Sequence, residues 1–116
     1  MDFSKDFLNE MQKNLENMKK EVLDKIESIN LELGEQSEAK EEGDIVQEVV
    51  DRTLKANFAE REKSKLMKIN QALGKMQNGT YGYCIDTEEP ISEQRLRANP
   101  LALRTVEAQE DFESNR

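Results

Sequence analysis

The feature that most constrains this chain is a run from Asp2 to Leu33 that contains neither Gly nor Pro and repeats apolar residues at helical spacing. Leu8, Met11, Leu15, Met18, Val22, Ile26, Ile29 and Leu33 follow one another at intervals of 3, 4, 3, 4, 4, 3 and 4. Alternating steps of three and four keep side chains on one narrow stripe of a helix, and the extra step of four between Val22 and Ile26 is a stutter that relaxes the supercoil. The run therefore reads as a long coiled-coil helix. A second apolar pattern, from Asp44 to Gln77, passes through Val46, Val50, Leu54, Phe58, Leu66, Ile69, Leu73 and Met76, with Asp44 and Gln47 placed to cap its start. At about 1.5 Å per residue each helix reaches roughly 45–50 Å. Between them, Gly34 to Gly43 loses the stripe, so the two helices are expected to fold back as an antiparallel hairpin with an exposed tip near residues 34–44.

Composition supports a structure with little interior. The 116 residues are 36% charged against 35% hydrophobic, with no Trp and a formal charge of -8. That balance favours an elongated or partnered chain over a large core, and it opposes direct contact with a nucleic-acid backbone. Without His, the usual proton shuttle near neutral pH and the imidazole metal ligand are missing, which argues against an enzyme. One Cys forms no intrachain disulfide, and no apolar run is long enough for a membrane span or a signal peptide, so a cytoplasmic location is expected. Charge is also segregated. Glu35, Glu38, Glu41, Glu42 and Asp44 make the tip acidic, whereas Lys55, Arg61, Lys63, Lys65, Lys68 and Lys75 make the far end of the second helix basic.

After Asn78-Gly79 the helical period stops. Thr80 to Ala98, with closely set aromatic, Gly and Pro residues, reads as a small irregular head. Asn99 looks like an N-cap with Pro100 at the first position of a last helix running to about Phe112. The expected division is a hairpin over 1–77 and a head with its C-terminal helix over 78–116, a mainly α fold. Tyr81, Tyr83, Cys84, Ile91, Leu96, Leu101 and Val106 are the expected core of the head.

The run Gly79-Thr80-Tyr81-Gly82-Tyr83-Cys84, followed by Glu89-Pro90-Ile91, Arg95-Leu96, Ala98 and Pro100, resembles the zinc-finger head of the DksA/TraR family of bacterial transcription regulators, with its Y-G-x-C and R-L-x-A-x-P elements. The resemblance extends from roughly Gly34 to Phe112 and includes the acidic-tipped coiled coil. It implies a regulator that enters the secondary channel of RNA polymerase and alters promoter-complex stability without chemistry of its own. The family's Asp-x-x-Asp-x-Ala tip signature falls on Glu41, Asp44 and Val46. Arg61 is a candidate polymerase contact, and Lys68 falls on a basic position that helps to hold guanosine tetraphosphate (ppGpp), while a second arginine of that pocket is Asn99 here. The four cysteine positions of the head read Cys84, Thr87, Thr105 and Ala108, which is too few donors for zinc. A metal-free head, a monomer, and no direct sequence-specific DNA binding are expected. A passive coiled-coil adaptor and a transcript-cleavage factor of the Gre kind are the alternatives, the latter disfavoured by the short segment after Gly79.

Overall fold

The computed structural model describes residues 3–34 and 42–115, with side chains from Val46 onward in the second segment. Its described elements are four helices, α1 (Lys5–Gly34), α2 (Glu42–Asn78), α3 (Glu93–Ala98) and α4 (Val106–Ser114). Among the described residues there is no strand, only an isolated antiparallel bridge between Tyr83 and Pro90. None of the described helices is long and apolar enough to cross a membrane. The fold is mainly α, and the chain packs as two compact units that each take part of both long helices: Met1–Met18 with Lys68–Arg116, and Lys19–Met67.

In the unit formed by Lys19–Met67 the helices run antiparallel, with Lys55 Nζ 3.2 Å from Glu32 Oε2 and Phe58 beside Asp24, Lys25 and Ile29. The α1 stripe is as the spacing predicts: Val22 and Ile29 are buried, and Ile26 and Leu33 half-buried. The α2 stripe is not. Val46, Val50, Leu54 and Phe58 are 61%, 46%, 61% and 44% exposed. Three successive steps of four each turn the stripe by about 40°, so by Phe58 it has wound about 120° around the helix and cannot stay against α1. The line that does face inward alternates three and four through Glu48, Arg52, Lys55, Ala59, Glu62 and Leu66. Most of its members are polar, which hid it from a hydrophobicity reading.

The other unit holds the main core. Phe7, Met11 and Leu15 of α1 and Ala72 of α2 meet Tyr81, Cys84, Ile91, Leu96 and Ala108 of the head in one buried cluster. Ser4 starts α1 by accepting a hydrogen bond from the Phe7 N–H at 3.1 Å. α2 begins at Glu42, so Asp44 is its third residue and not its cap. The helix stops after Asn78, where Gly79 takes φ +79° and the Thr80 N–H closes onto the Lys75 carbonyl at 2.9 Å.

The end of the chain differs from its sequence reading. Asn99 is the C-cap of α3, donating its N–H to the Arg95 carbonyl, and Pro100 follows a finished helix. Proline is common just past a helix end as well as at a helix start, and α3 is too short to show a period. The true N-caps are Ser92, whose Oγ accepts from the Arg95 N–H at 3.1 Å, and Thr105, whose Oγ1 accepts from the Ala108 N–H at 3.2 Å. As the first residue of α4, Val106 points outward and is 49% exposed, while Ala108 supplies the buried contact.

Candidate functional site

The head is built on two turns that occupy the ligand positions of a zinc finger, residues 84–87 and 105–108. The first turn is formed by backbone bonds: the Cys84 N–H donates to the Glu89 carbonyl at 2.8 Å, and the Glu88 N–H to the Cys84 carbonyl at 2.9 Å, with Glu88 at φ 62°. Before it, Gly82 has φ +89° and lies against the Phe3 ring, where a Cβ would come within 2.5 Å of a ring carbon. Tyr81 donates its hydroxyl to the Pro100 carbonyl at 2.8 Å, and burial pushes the phenol up to about 12.

Cys84 is only 1% exposed. Burial disfavours its thiolate, but hydrogen bonds from the Thr87 side chain and from the backbone of Thr105, Thr87 and Asp86 outweigh that and bring the thiol down to about 7. The neighbouring ligand positions are otherwise engaged. Thr105 Oγ1 caps α4, Thr87 Oγ1 accepts from the Glu89 N–H at 3.3 Å, and Ala108 is a buried methyl with no donor atom. Among the described residues no group of three or more His, Cys, Asp or Glu could hold a metal ion. An open cleft of about 640 Å³ lies beside the two turns, lined by Asp86, Glu89, Glu107, Asp111 and the Phe112 ring.

The residues predicted for partner contact are spread along α2. Glu41 lies outside the described residues, as does the side chain of Asp44. Val46 and Arg61 are exposed in the unit Lys19–Met67. Lys68 is exposed in the other unit, where it borders a shallow groove with Gln71, Lys75, Tyr83 and Leu101. Lys68 and Lys75 are thus placed together over the head, whereas Asn99 is turned to local use: its Oδ1 accepts from the Leu101 N–H at 3.1 Å.

Three side chains matter here that sequence reading missed. Arg97 forms a two-pronged pair with Glu10, Nε to Oε2 at 3.1 Å and Nη2 to Oε1 at 3.3 Å, and lies 5.0 Å over the Phe7 ring. Arg104 donates from Nε to Asp86 Oδ2 at 2.7 Å and stacks 3.9 Å over Phe112. Phe3 stacks on Phe7 at 5.3 Å and meets Tyr83 edge-on at 5.5 Å. Only the Phe3–Phe7 spacing of four, just ahead of the α1 stripe, was a sequence signal for any of them.

Residues 79–114 match the family model described as the prokaryotic dksA/traR C4-type zinc finger. A segment of 63 residues, 54% of the chain, is 46% identical to the RNA polymerase-binding transcription factor DksA of Caulobacter vibrioides. Over 110 residues, 93% of the chain, it is 40% identical to General stress protein 16O of Bacillus subtilis. These matches span 44% and 65% of the two relatives' own lengths. The fold superposes on the structure of transcription factor DksA2 from Pseudomonas aeruginosa with a TM-score of 0.89 and 30% identity, covering 97% of this chain and 87% of that one. Zinc of the C4 type needs four donors, and the set Cys84, Thr87, Thr105 and Ala108 does not fit it. Fold, head motif and identity agree, and the chain belongs to the DksA/TraR family.

Proposed function

We propose that this protein regulates transcription by binding bacterial RNA polymerase through the secondary channel, as a monomer and without catalysing a reaction. The observation that carries this reading is the likeness to a transcription factor along almost the whole chain, at 30% identity and a TM-score of 0.89. In it, residues 1–77 are the inserted hairpin and 78–116 the head. Asp44 is the working carboxylate that alters promoter-complex stability, with Glu41 and Val46 beside it, since a carboxylate suits approach to a hard cation or a mobile basic loop. Arg61 and Lys68, both exposed on α2, supply docking charge. Lys68 and Lys75 over the head offer two cations to a phosphate group, which favours a response to guanosine tetraphosphate. The head acts without zinc, held by packing instead of coordination.

The test is transcription in vitro from a ribosomal RNA promoter at several alarmone concentrations, run beside a polymerase-binding titration. Asp44→Asn should bind polymerase nearly normally and lose most regulation, with a smaller loss for Glu41→Gln. Charge reversal at Arg61 or Lys68 should weaken binding first. The reading fails if the parent protein binds polymerase and leaves initiation unchanged, as a passive adaptor does, or if Asp44→Asn regulates like the parent.

A further inference from the structure

The two turns of the head must be held together by something other than four metal bonds, and the structure contains a side chain placed to do it. We propose that Arg104 is the cross-link that does the metal's work in the fold, joining Asp86 of the first turn to Phe112 of α4; this rests on the metal-free reading of the head.

Arg104 immediately precedes the second turn, so its backbone is already tied to that side. The Leu103 carbonyl accepts from the Ile85 N–H at 2.9 Å, and the Arg104 carbonyl accepts from Arg95 Nε at 2.9 Å. With its backbone fixed, the side chain reaches in two directions. Nε donates to Asp86 Oδ2 at 2.7 Å, and the guanidinium plane covers the Phe112 ring at 3.9 Å. The Arg104 side chain is 16% exposed, against 45% for Asp86, so its charge is screened less than that of a surface pair. Other links between the turns exist, through the Ile85 backbone and the Cys84 sulfur. Neither of these reaches α4 beyond its first residues, whereas Phe112 lies seven residues into the helix. Arginine suits this place because one flat group donates at its edge while stacking through its face, which a lysine ammonium cannot do.

Hydrogen exchange on the full-length chain tests this, read at three places: the Ile85 amide, the Gln109 amide of α4, and the amides of Lys19–Met67 as an internal control. Arg104→Lys, Asp86→Asn and Phe112→Leu should each speed exchange at Ile85 and Gln109 by about tenfold and leave the control unchanged. Combining Asp86→Asn with Arg104→Lys should add little to Arg104→Lys alone, because the lysine has already lost the contact that the Asp86 change removes. In the Arg104→Lys background, the triple change Thr87→Cys, Thr105→Cys and Ala108→Cys should restore protection when zinc is supplied. If the native protein is zinc-free and the three single variants exchange like the parent, the cross-link is refuted while the metal-free head stands. If the native protein carries one zinc per chain and chelation alone speeds exchange at Ile85 and Gln109, the metal-free reading falls and the cross-link with it.

Discussion

Glu62 offers the sharpest quantitative test of the packing. It sits on the inward line of α2 between buried Ala59 and half-buried Leu66, is only 9% exposed, and its Oε2 has no hydrogen-bond partner in the structure. An unsatisfied buried polar atom costs about 1–3 kcal/mol, more when it carries charge. Replacing the side chain by Leu removes that cost and lets the seam continue as an apolar line, so Glu62→Leu should stabilise the protein by about 1–3 kcal/mol. With a urea slope of about 2 kcal/mol per M, the midpoint of the far-UV circular dichroism transition should rise by roughly 0.5–1.5 M at unchanged slope. Glu62→Gln removes the charge but leaves a polar group in place, and should fall between Leu and the parent. A lower midpoint for Glu62→Leu, together with a lower one for Glu62→Gln, would mean that the carboxylate is stabilised where it sits and that its isolation carries no cost.

Gly82→Ala should destabilise the head by about 2–4 kcal/mol, because an alanine at φ +89° is strained and its Cβ would strike the Phe3 ring; loss of near-UV dichroism from the tyrosines at lower urea than the helical signal checks it. Tyr81→Phe leaves the Pro100 carbonyl without its donor and should cost about 1–2 kcal/mol by the same melt. In the parent, the Tyr81 phenol keeps its proton to about 12 when folded, so stability should decline from about pH 10 upward, where only the unfolded chain ionises, and Tyr81→Phe should flatten that decline. Cys84 works in the opposite sense. Its folded thiol ionises near 7 and its unfolded one near 9, so the unfolded state holds the extra proton between these values and stability should rise with pH across that window; Cys84→Ala should abolish the rise in urea melts run across that range.

The long helix α1 was legible because its stripe steps by alternating threes and fours and because no Gly or Pro interrupts it. Along α2 the apolar pattern held from Leu66 to Met76 and misplaced the face before it, for a physical reason. Val46, Val50, Leu54 and Phe58 are apolar but wind off the axis of contact, while the residues that face α1 include Glu48, Arg52, Lys55 and Glu62. A charged side chain can lie along a seam with its stem packed and its head paired, as Lys55 does with Glu32, and hydropathy then points to the wrong side of the helix. In the head, Tyr81, Cys84, Ile91 and Leu96 were legible as core, since closely set apolar residues in a segment too small to waste them must face inward. The side-chain links of Arg97 and Arg104 were not, because each pairs residues far apart in sequence: 87 positions separate Arg97 from Glu10, and 18 separate Arg104 from Asp86. Of the candidate tip, Val46, which the apolar pattern placed inward, is exposed, while Glu41 and the side chain of Asp44 lie outside the described residues.

These contacts also explain why the head motif can persist with a single ligand cysteine. Several motif positions do something that requires no metal. Tyr81 closes onto the Pro100 carbonyl, which joins the start of the motif to its end across 19 residues. Gly82 supplies a left-handed turn and a bare surface for the Phe3 ring, bringing the N-terminal residues onto the head. Leu96 is fully buried, and Arg95 reaches the Arg104 carbonyl. Cys84 itself fills core volume with 1% exposure and ties both turns through hydrogen bonds to its sulfur. Thr87, Thr105 and Ala108 add to that frame: one hydroxyl supports a turn, one caps a helix, and the methyl packs inward. A head specified in this way is held by hydrogen bonds and packing that draw on residues from Tyr81 to Arg104, and none of those contacts uses a metal.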